Sequence, residues 1–336
     1  MDPYRTAHRP TSEDVAKLAG LSRTTVSQIL NGRDARFPPE TRARVAAAAS
    51  QLNYRPSRAG RALVSGVSDL IVIVVPNVTV GRRMQETLEH IATDSQAQGM
   101  NAVIRYAGSD MEATITTIID LRPAVVFHLG ALDATSIRRV EASGTRVLPS
   151  VPPESSNADA FDRHVGAMQA RELLKRPLAG LVYAMHADEV GPYGRARAQG
   201  VAEFAVAAGF HAPQVINVSM RLDAATSVLA PMLSRGVGPI GVACYNDDVA
   251  VAVLAVAREL GLGVPLDVAV IGVDRTDVGQ LFSPRLTSIA INVPAIDALF
   301  VQELRRLRDG VVEEVIPSET PAGFESLVQL VPGESS

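Results

Sequence analysis

The chain has 336 residues, 47% of them hydrophobic and 4% aromatic, with one cysteine and a formal charge of −4. That much apolar material suits two or three packed cores, while a single cysteine excludes a disulfide framework or a thiolate metal cluster, and no apolar run approaches the roughly 18 residues of a membrane span. The charge is uneven: residues 1–65 carry +6 and the remainder −10, so a basic head, suited to displacing counterions from a polyanion, precedes an acidic body. The opening MDPYRTAHRP is polar and lacks the apolar core of a signal peptide, so the expected location is the cytoplasm. Cys244 lies within the apolar run IGVAC and reads as a buried, inert thiol.

Taken in chain order, the first structural signal is TSED at 11–14. Thr11 can accept from an early helical N–H while the Asp14 carboxylate reaches back to the Thr11 backbone, so a helix begins at Thr11, with Val15, Leu18 and Ala19 as its apolar stripe. Gly20 supplies the positive φ of a tight turn, and Ser22 caps a second helix, RTTVSQIL at 23–30, whose Val26, Ile29 and Leu30 face inward. The opposite side carries Arg23, Thr24, Ser27 and Gln28, donor and acceptor types that read base edges and hold phosphates. A third helix opens at Pro38 and Pro39 and buries Val45, Ala49 and Leu52 at helical spacing. This pattern alone leaves two readings open, a DNA-binding helix pair and a plain structural hairpin.

The longer string DVAKLAGLSRTTVSQILNG, followed by ETRARVAAAASQLNYRPSRAGRAL, resembles the DNA-binding domain of the lactose-repressor (LacI)/GalR family of bacterial regulators, almost unbroken from Thr11 to Leu63. The resemblance implies that Arg23, Thr24 and Gln28 contact bases in the major groove, a phosphate contact being the competing role for Arg23. It implies positioning contacts to phosphate for Ser22, Ser27 and Asn31. Thr11, Thr25, Tyr54 and Arg58 complete the DNA-binding set. Tyr54 to Leu63 resembles the family's hinge, a short helix paired with its dimer mate in the minor groove, where Leu63 would wedge between base steps. Two departures stand out. Gly60 replaces the usual alanine, at roughly 1 kcal/mol of helix stability, and Pro38 replaces a capping serine after a slightly longer loop at 32–37.

From Asp69 onward, short apolar runs alternate with helical patterns: LIVIVVP, RRMQETLEHIATDSQAQG, NAVIRY, MEATITTIIDL, AVVFHL and TSIRRVEASG. A second set follows as AGLVYAM, GRARAQGVAEFAVAAG, QVINV, DAATSVLAPMLSRG, IGVAC, DDVAVAVLAVARELG and DVAVIGVD. This order predicts βαβ units and two doubly wound parallel sheets, with ligand-binding loops after Val75, Met185, Tyr245 and Val273. CYNDDVAVAVLAVARELGLGVPLDVAVIGVDRTDVGQLFSPRLTSI resembles the same family's effector domain, whose fold is that of periplasmic sugar-binding proteins; between 77 and 180 the match is patchy.

The fold class implied is therefore an all-α helix-turn-helix head on an α/β, periplasmic-binding-protein-like body of two doubly wound subdomains. Its expected boundaries are 1–53 for the head, 54–66 for the hinge, 67–158 with 292–318 for the first subdomain, and 159–291 with 319–336 for the second. The helix beginning near Pro294 would return to the first half. By motif position the effector contacts are Arg197, Asn246 and Asp274, with Asn77, Asp162, Tyr193 and Tyr245 beside them. A guanidinium fork, an amide and a carboxylate suit a polyhydroxylated, carbohydrate-like ligand. Capping or ion pairing is the competing role for Asp274, and a solvated surface charge for Arg197. The chain has no Trp, and Met220 and Val293 stand where relatives often present rings. Tyr193, Tyr245 and Phe282 are the remaining candidates to stack on a ligand, and Arg275 could recruit an anion.

Enzyme signatures are missing from the sequence. Lys17 and Lys175, the two lysines, follow no glycine, so there is no P-loop, and Gly236, Gly238 and Gly241 spell GxGxxG after a helix and before a strand, the reverse of a dinucleotide fingerprint. His164 and His186 read as surface or loop residues. No catalytic residue, metal or cofactor is expected. The expectation is a repressor acting as a homodimer on a pseudo-palindromic operator in double-stranded DNA, released by a small-molecule effector. The alternative is an effector-independent or protein-partner-controlled regulator with a degenerate pocket.

Overall fold

The structure is a computed structural model describing residues 10–32, 34–54, 68–76, 82–108, 110–148, 157–187, 192–234, 238–292, 302, 305–306 and 327–336. Two units, Met1–Asp69 and Leu70–Ser336, separate by their internal contacts. Among the described residues no helix is long and apolar enough to cross a membrane.

The head is built of α1 (Ser12–Ala19), α2 (Arg23–Leu30) and α3 (Pro39–Gln51). The capping box forms as expected: Thr11 N donates to Asp14 Oδ2 at 2.8 Å, and Asp14 N donates to Thr11 Oγ1 at 3.3 Å. Gly20, at φ 64°, ends α1 in the left-handed region, letting Leu21 N reach back to Ala16 O at 3.0 Å. Val15, Ala16, Ala19, Val26, Val45, Ala48 and Ala49 form the core, with Ile29, Leu30, Leu52 and Tyr54 packed around it. The expected stripe of α1 is corrected at one position, because Leu18 is 46% exposed and Ala16 is buried in its stead. Helix α1 packs on both α2 and α3, and the face it turns to them carries Ala16 and leaves Leu18 outside.

In the body, β1 (Leu70–Val75), β2 (Asn101–Tyr106), β3 (Val125–His128) and β4 (Arg146–Leu148) form a parallel sheet in the order β2-β1-β3-β4. Strand β1 is buried on both faces, as its unbroken apolar run requires. Ile71, Ile73 and Val75 face Leu88 and Ile91 of α4 (Arg82–Ala97). Val72 and Val74 face Ile115 and Ile118 of α5 (Met111–Leu121) and Ile137 and Val140 of α6 (Ala134–Ala142).

The second sheet runs β10-β9-β8-β7-β5-β6. It comprises β5 (Gly180–His186), β6 (Gln214–Val218), β7 (Ile240–Cys244), β8 (Val268–Val273), β9 (Thr287–Ile291) and β10 (Val328–Val331). All pairs are parallel except β10 with β9, so the last strand joins this sheet as an antiparallel edge. Helices α7 (Asn157–Leu173) and α8 (Pro192–Ala207) pack on the face carrying Tyr183, Ala243 and Ile271. Helices α9 (Leu222–Leu233) and α10 (Asp247–Glu259) cover Val182, Val242 and Val270 on the other. A short helix, α11 (Asp277–Leu281), follows β8. Strand order reverses between β5 and β7, and the crevice beyond their carboxyl ends is where such sheets take ligands.

Candidate functional site

On the head, the side chains that face solvent from the start of α2 are Arg23 and Thr24, both exposed, with Ser27 and Gln28 half-buried one turn on. Ser22 is the N-cap, accepting from Thr25 N at 3.1 Å and sharing a 2.8 Å hydrogen bond with Thr25 Oγ1. Asn31 Nδ2 donates to Ser27 Oγ at 3.2 Å. Thr11, Ser22, Thr25, Ser27 and Asn31 therefore also serve the helix ends, while Arg23, Thr24 and Gln28 make no such cap. Tyr54 N donates to Ala49 O at 2.8 Å and its ring packs on the head core, which ties it to the three-helix unit. Two arginines of α3 tie down the segments that flank α2 on either side. Arg44 of α3 donates through Nη2 to Ala19 O at 2.5 Å, just before the turn. Arg42 of α3 holds Asp34 of the longer loop at 3.3 Å. Arg58, Gly60 and Leu63 lie outside the described residues, as does Asn77 in the body.

In the body, the site begins with a backbone-to-backbone crossing of α7 and α8. A Cβ on Gly166 would lie 2.0 Å from Arg197 O, and one on Gly200 would lie 1.9 Å from Arg163 O. The two glycines let the helices touch, which brings Asp162 of α7 against Arg197 of α8. Arg197 Nε donates to Asp162 Oδ1 at 2.7 Å, and Nη1 donates to Tyr245 O at 2.8 Å, with the guanidinium 5.3 Å from the Tyr245 ring centre. Both members of the ion pair are buried. Burial works against the arginine's charge, yet the Asp162 carboxylate, with Asp274 contributing, holds its pKa above the ordinary arginine value. Gln169, missed from sequence, is fully buried on α7 and donates to Cys244 O at 2.8 Å, pinning the end of β7 from beneath.

Asn246 is buried and caps α10 by accepting from Val249 N at 3.0 Å. Asp274, half-buried, sits at φ 99°, followed by Arg275 at φ 50°, a rare backbone for two non-glycine residues. Thr276 caps α11, so the capping role considered for Asp274 belongs to the residue two positions on. Tyr193 is half-buried one helical turn before Arg197. The structure thus joins Asp162, Arg197 and Tyr245 directly and brings Asp274 within electrostatic reach of Arg197.

A cavity of about 390 Å³ opens among the end of β5, α9, α10 and α11, lined by His186, Met220, Asp248, Val251 and Val278 among others. None of the residues expected from sequence to touch a ligand lines it. His186 corrects the surface-or-loop expectation: it ends β5, is 5% exposed, and lies close enough to Asp248 to oppose the rise that burial and Asp274 impose on the Asp248 pKa. A histidine closing an apolar strand is the signal that could have found it. His164 is half-buried on α7, and Cys244 is buried with its thiol pKa pushed well up by desolvation. Among the described residues no cluster of His, Cys, Asp or Glu is placed to hold a metal ion.

A three-helix head presenting polar side chains from its second helix, and an α/β body with a buried arginine at the strand ends, define a helix-turn-helix regulator joined to a ligand-binding domain. Residues 11–57 match the lacI family of bacterial regulatory proteins, and residues 170–336 match the periplasmic binding protein-like domain. The chain belongs to this family and is a DNA-binding transcription regulator. It is 29% identical to the transcriptional regulator GntR of Pseudomonas aeruginosa, covering 97% of this chain and 96% of that one. It is 27% identical to the transcriptional repressor PurR of Vibrio atlanticus, covering 83% and 86%. The lac repressor dimer bound to operator and the anti-inducer ONPF shares the fold with a TM-score of 0.73 at 20% identity, over 98% of this chain and 99% of that one.

Proposed function

We propose that this regulator is a cytoplasmic, non-enzymatic repressor that binds a pseudo-palindromic operator as a homodimer and is controlled by a small, hydroxyl-rich metabolite. The observation that carries the reading is the Arg197–Asp162 pair, buried at the switch point of the second sheet beside Asn246 and Asp274. A buried ion pair is a weak source of stability, and at this place it fixes the direction of a guanidinium toward the crevice. The relatives named as a repressor and as an operator-bound, ligand-bound dimer support the rest. Arg23, Thr24 and Gln28 read bases, and Ser22, Ser27 and Asn31 position the helix on phosphate.

Self-association is supported by the surface around α11. Val278 and Leu281 are 59% and 86% exposed, and the neighbouring cavity wall of Val251, Met220 and Leu222 is apolar. A knob and a hole on one face suit an isologous dimer. A second reading, a regulator without a small-molecule effector, is favoured by one feature: Arg197 already spends two of its nitrogens on Asp162 and Tyr245 O. A thermal-shift panel of sugars, sugar phosphates and nucleosides separates the two. A stabilising hit lost in Arg197→Ala supports the first reading, and no shift across the whole panel supports the second.

A further inference from the structure

Asp247, the first residue of α10, is absent from the set of ligand contacts, yet the turn that carries Asp274 is built around it. Its side chain is fully buried, and among the described residues no cation pairs with it. Oδ2 accepts from Thr276 N at 2.6 Å and from Thr276 Oγ1 at 3.2 Å. Oδ1 accepts from Ser288 Oγ at 2.7 Å, and that same Ser288 oxygen accepts from Arg275 N at 3.0 Å. Thr276 Oγ1 in turn accepts from Gly279 N at 3.3 Å, closing the first turn of α11. Two glycines clear the space: a Cβ on Gly272 would stand 2.1 Å from Asp247 Oδ1, and one on Gly279 would stand 3.2 Å from Oδ2.

A buried carboxyl without a cation is unfavourable and persists only where its hydrogen bonds serve something else. Here the bonds lead to the amides of residues 275 and 276, directly or through Ser288, and to the Thr276 hydroxyl. They follow Asp274, in a stretch where Asp274 and Arg275 both hold a positive φ that a free chain would leave. Asn246, the residue before, is fixed by its own cap on α10. One short segment therefore sets both polar groups at the ends of β7 and β8.

We infer that Asp247 is the positioning residue of the effector site, holding the 274–276 turn so that the Asp274 carboxylate stays directed at Arg197, and anchoring α11 to the same carboxyl. The functional part of this inference rests on the ligand-binding role proposed above; the positioning itself does not.

The test is amide hydrogen exchange on the full-length protein, with neither DNA nor ligand present. In Asp247→Ala, exchange at the Arg275 and Thr276 amides should rise at least tenfold while β7 keeps its protection. Asp247→Asn, whose amide can still accept from Thr276 and meet Ser288, should restore it. Ser288→Ala, which removes only the relay, should free Arg275 N and leave Thr276 N protected. That third variant decides the matter alone if the alanine at 247 prevents folding. Unchanged exchange at both amides, or a uniform rise across β7, β8 and the turn together, overturns the inference. A silent ligand panel would overturn the effector role while leaving this result standing, so the two failures are distinguishable.

Discussion

Arg197 of α8 donates through Nε to Asp162 of α7 at 2.7 Å, in a buried pair made possible by Gly166 and Gly200 where the helices cross. Removing one partner of such a pair leaves an uncompensated charge, at a cost of about 3–5 kcal/mol. Asp162→Ala should therefore lower the unfolding free energy of the body, read from urea unfolding, by that amount and abolish any ligand-induced thermal shift. A loss below about 1 kcal/mol would mean that water reaches the guanidinium and that the pair does not organise the site.

The pH dependence of stability should carry the mark of Asp247. Burial, with the Asp274 charge adding to it, pushes its pKa up to about 7 from an ordinary 3.8, against the opposing hydrogen bonds of Ser288 and Thr276. Between those values the folded state holds a proton that the unfolded state has lost. The contribution is thus fully present below the unfolded value and is lost as pH rises through the folded one, by roughly 1.4 kcal/mol for each pH unit crossed. Urea unfolding of the native chain should weaken from pH 5 to pH 8 relative to Asp247→Asn; parallel curves for the two proteins would contradict this assignment.

The apolar surface of α11 yields a prediction about assembly. Leu281 is 86% exposed on a helix tied to the core through Thr276, so Leu281→Asp disturbs no packed contact of the single chain. Sedimentation should show the native protein as a dimer and the variant as a folded monomer. A variant that still sediments as a dimer would place the interface elsewhere.

Arg23 distinguishes reading from positioning. If it pairs with a base edge, Arg23→Ala should lose about 1–3 kcal/mol on the preferred site and much less on sites altered at that one base pair. A loss of equal size on every sequence would assign Arg23 to phosphate instead.

Much of this was legible in the sequence because local chemistry and tertiary packing agree. TSED spells a capping box and forms one, and LIVIVV reads as a strand buried on both faces and is one. The departures come where packing between elements overrides a local pattern. Leu18 fits a helical stripe but falls outside the face that α1 shares with α2 and α3. Helix α7 has no clear apolar stripe, since Gly166, Asp162 and Gln169 face its partners, so periodicity passes over it. Asp247 is invisible for a related reason: an acidic residue at the first position of a helix reads as an ordinary dipole partner, and only the fold shows the turn closing over it.

Whether the head reads DNA sequence as a symmetric dimer is decided by selecting duplexes from a random pool with the full-length protein. Enrichment of one inverted repeat is expected, with half-sites spaced for two recognition helices in the major groove and enrichment lost in Arg23→Ala. A pool that binds without enriching any sequence, its affinity falling with salt alike for all members, would contradict it.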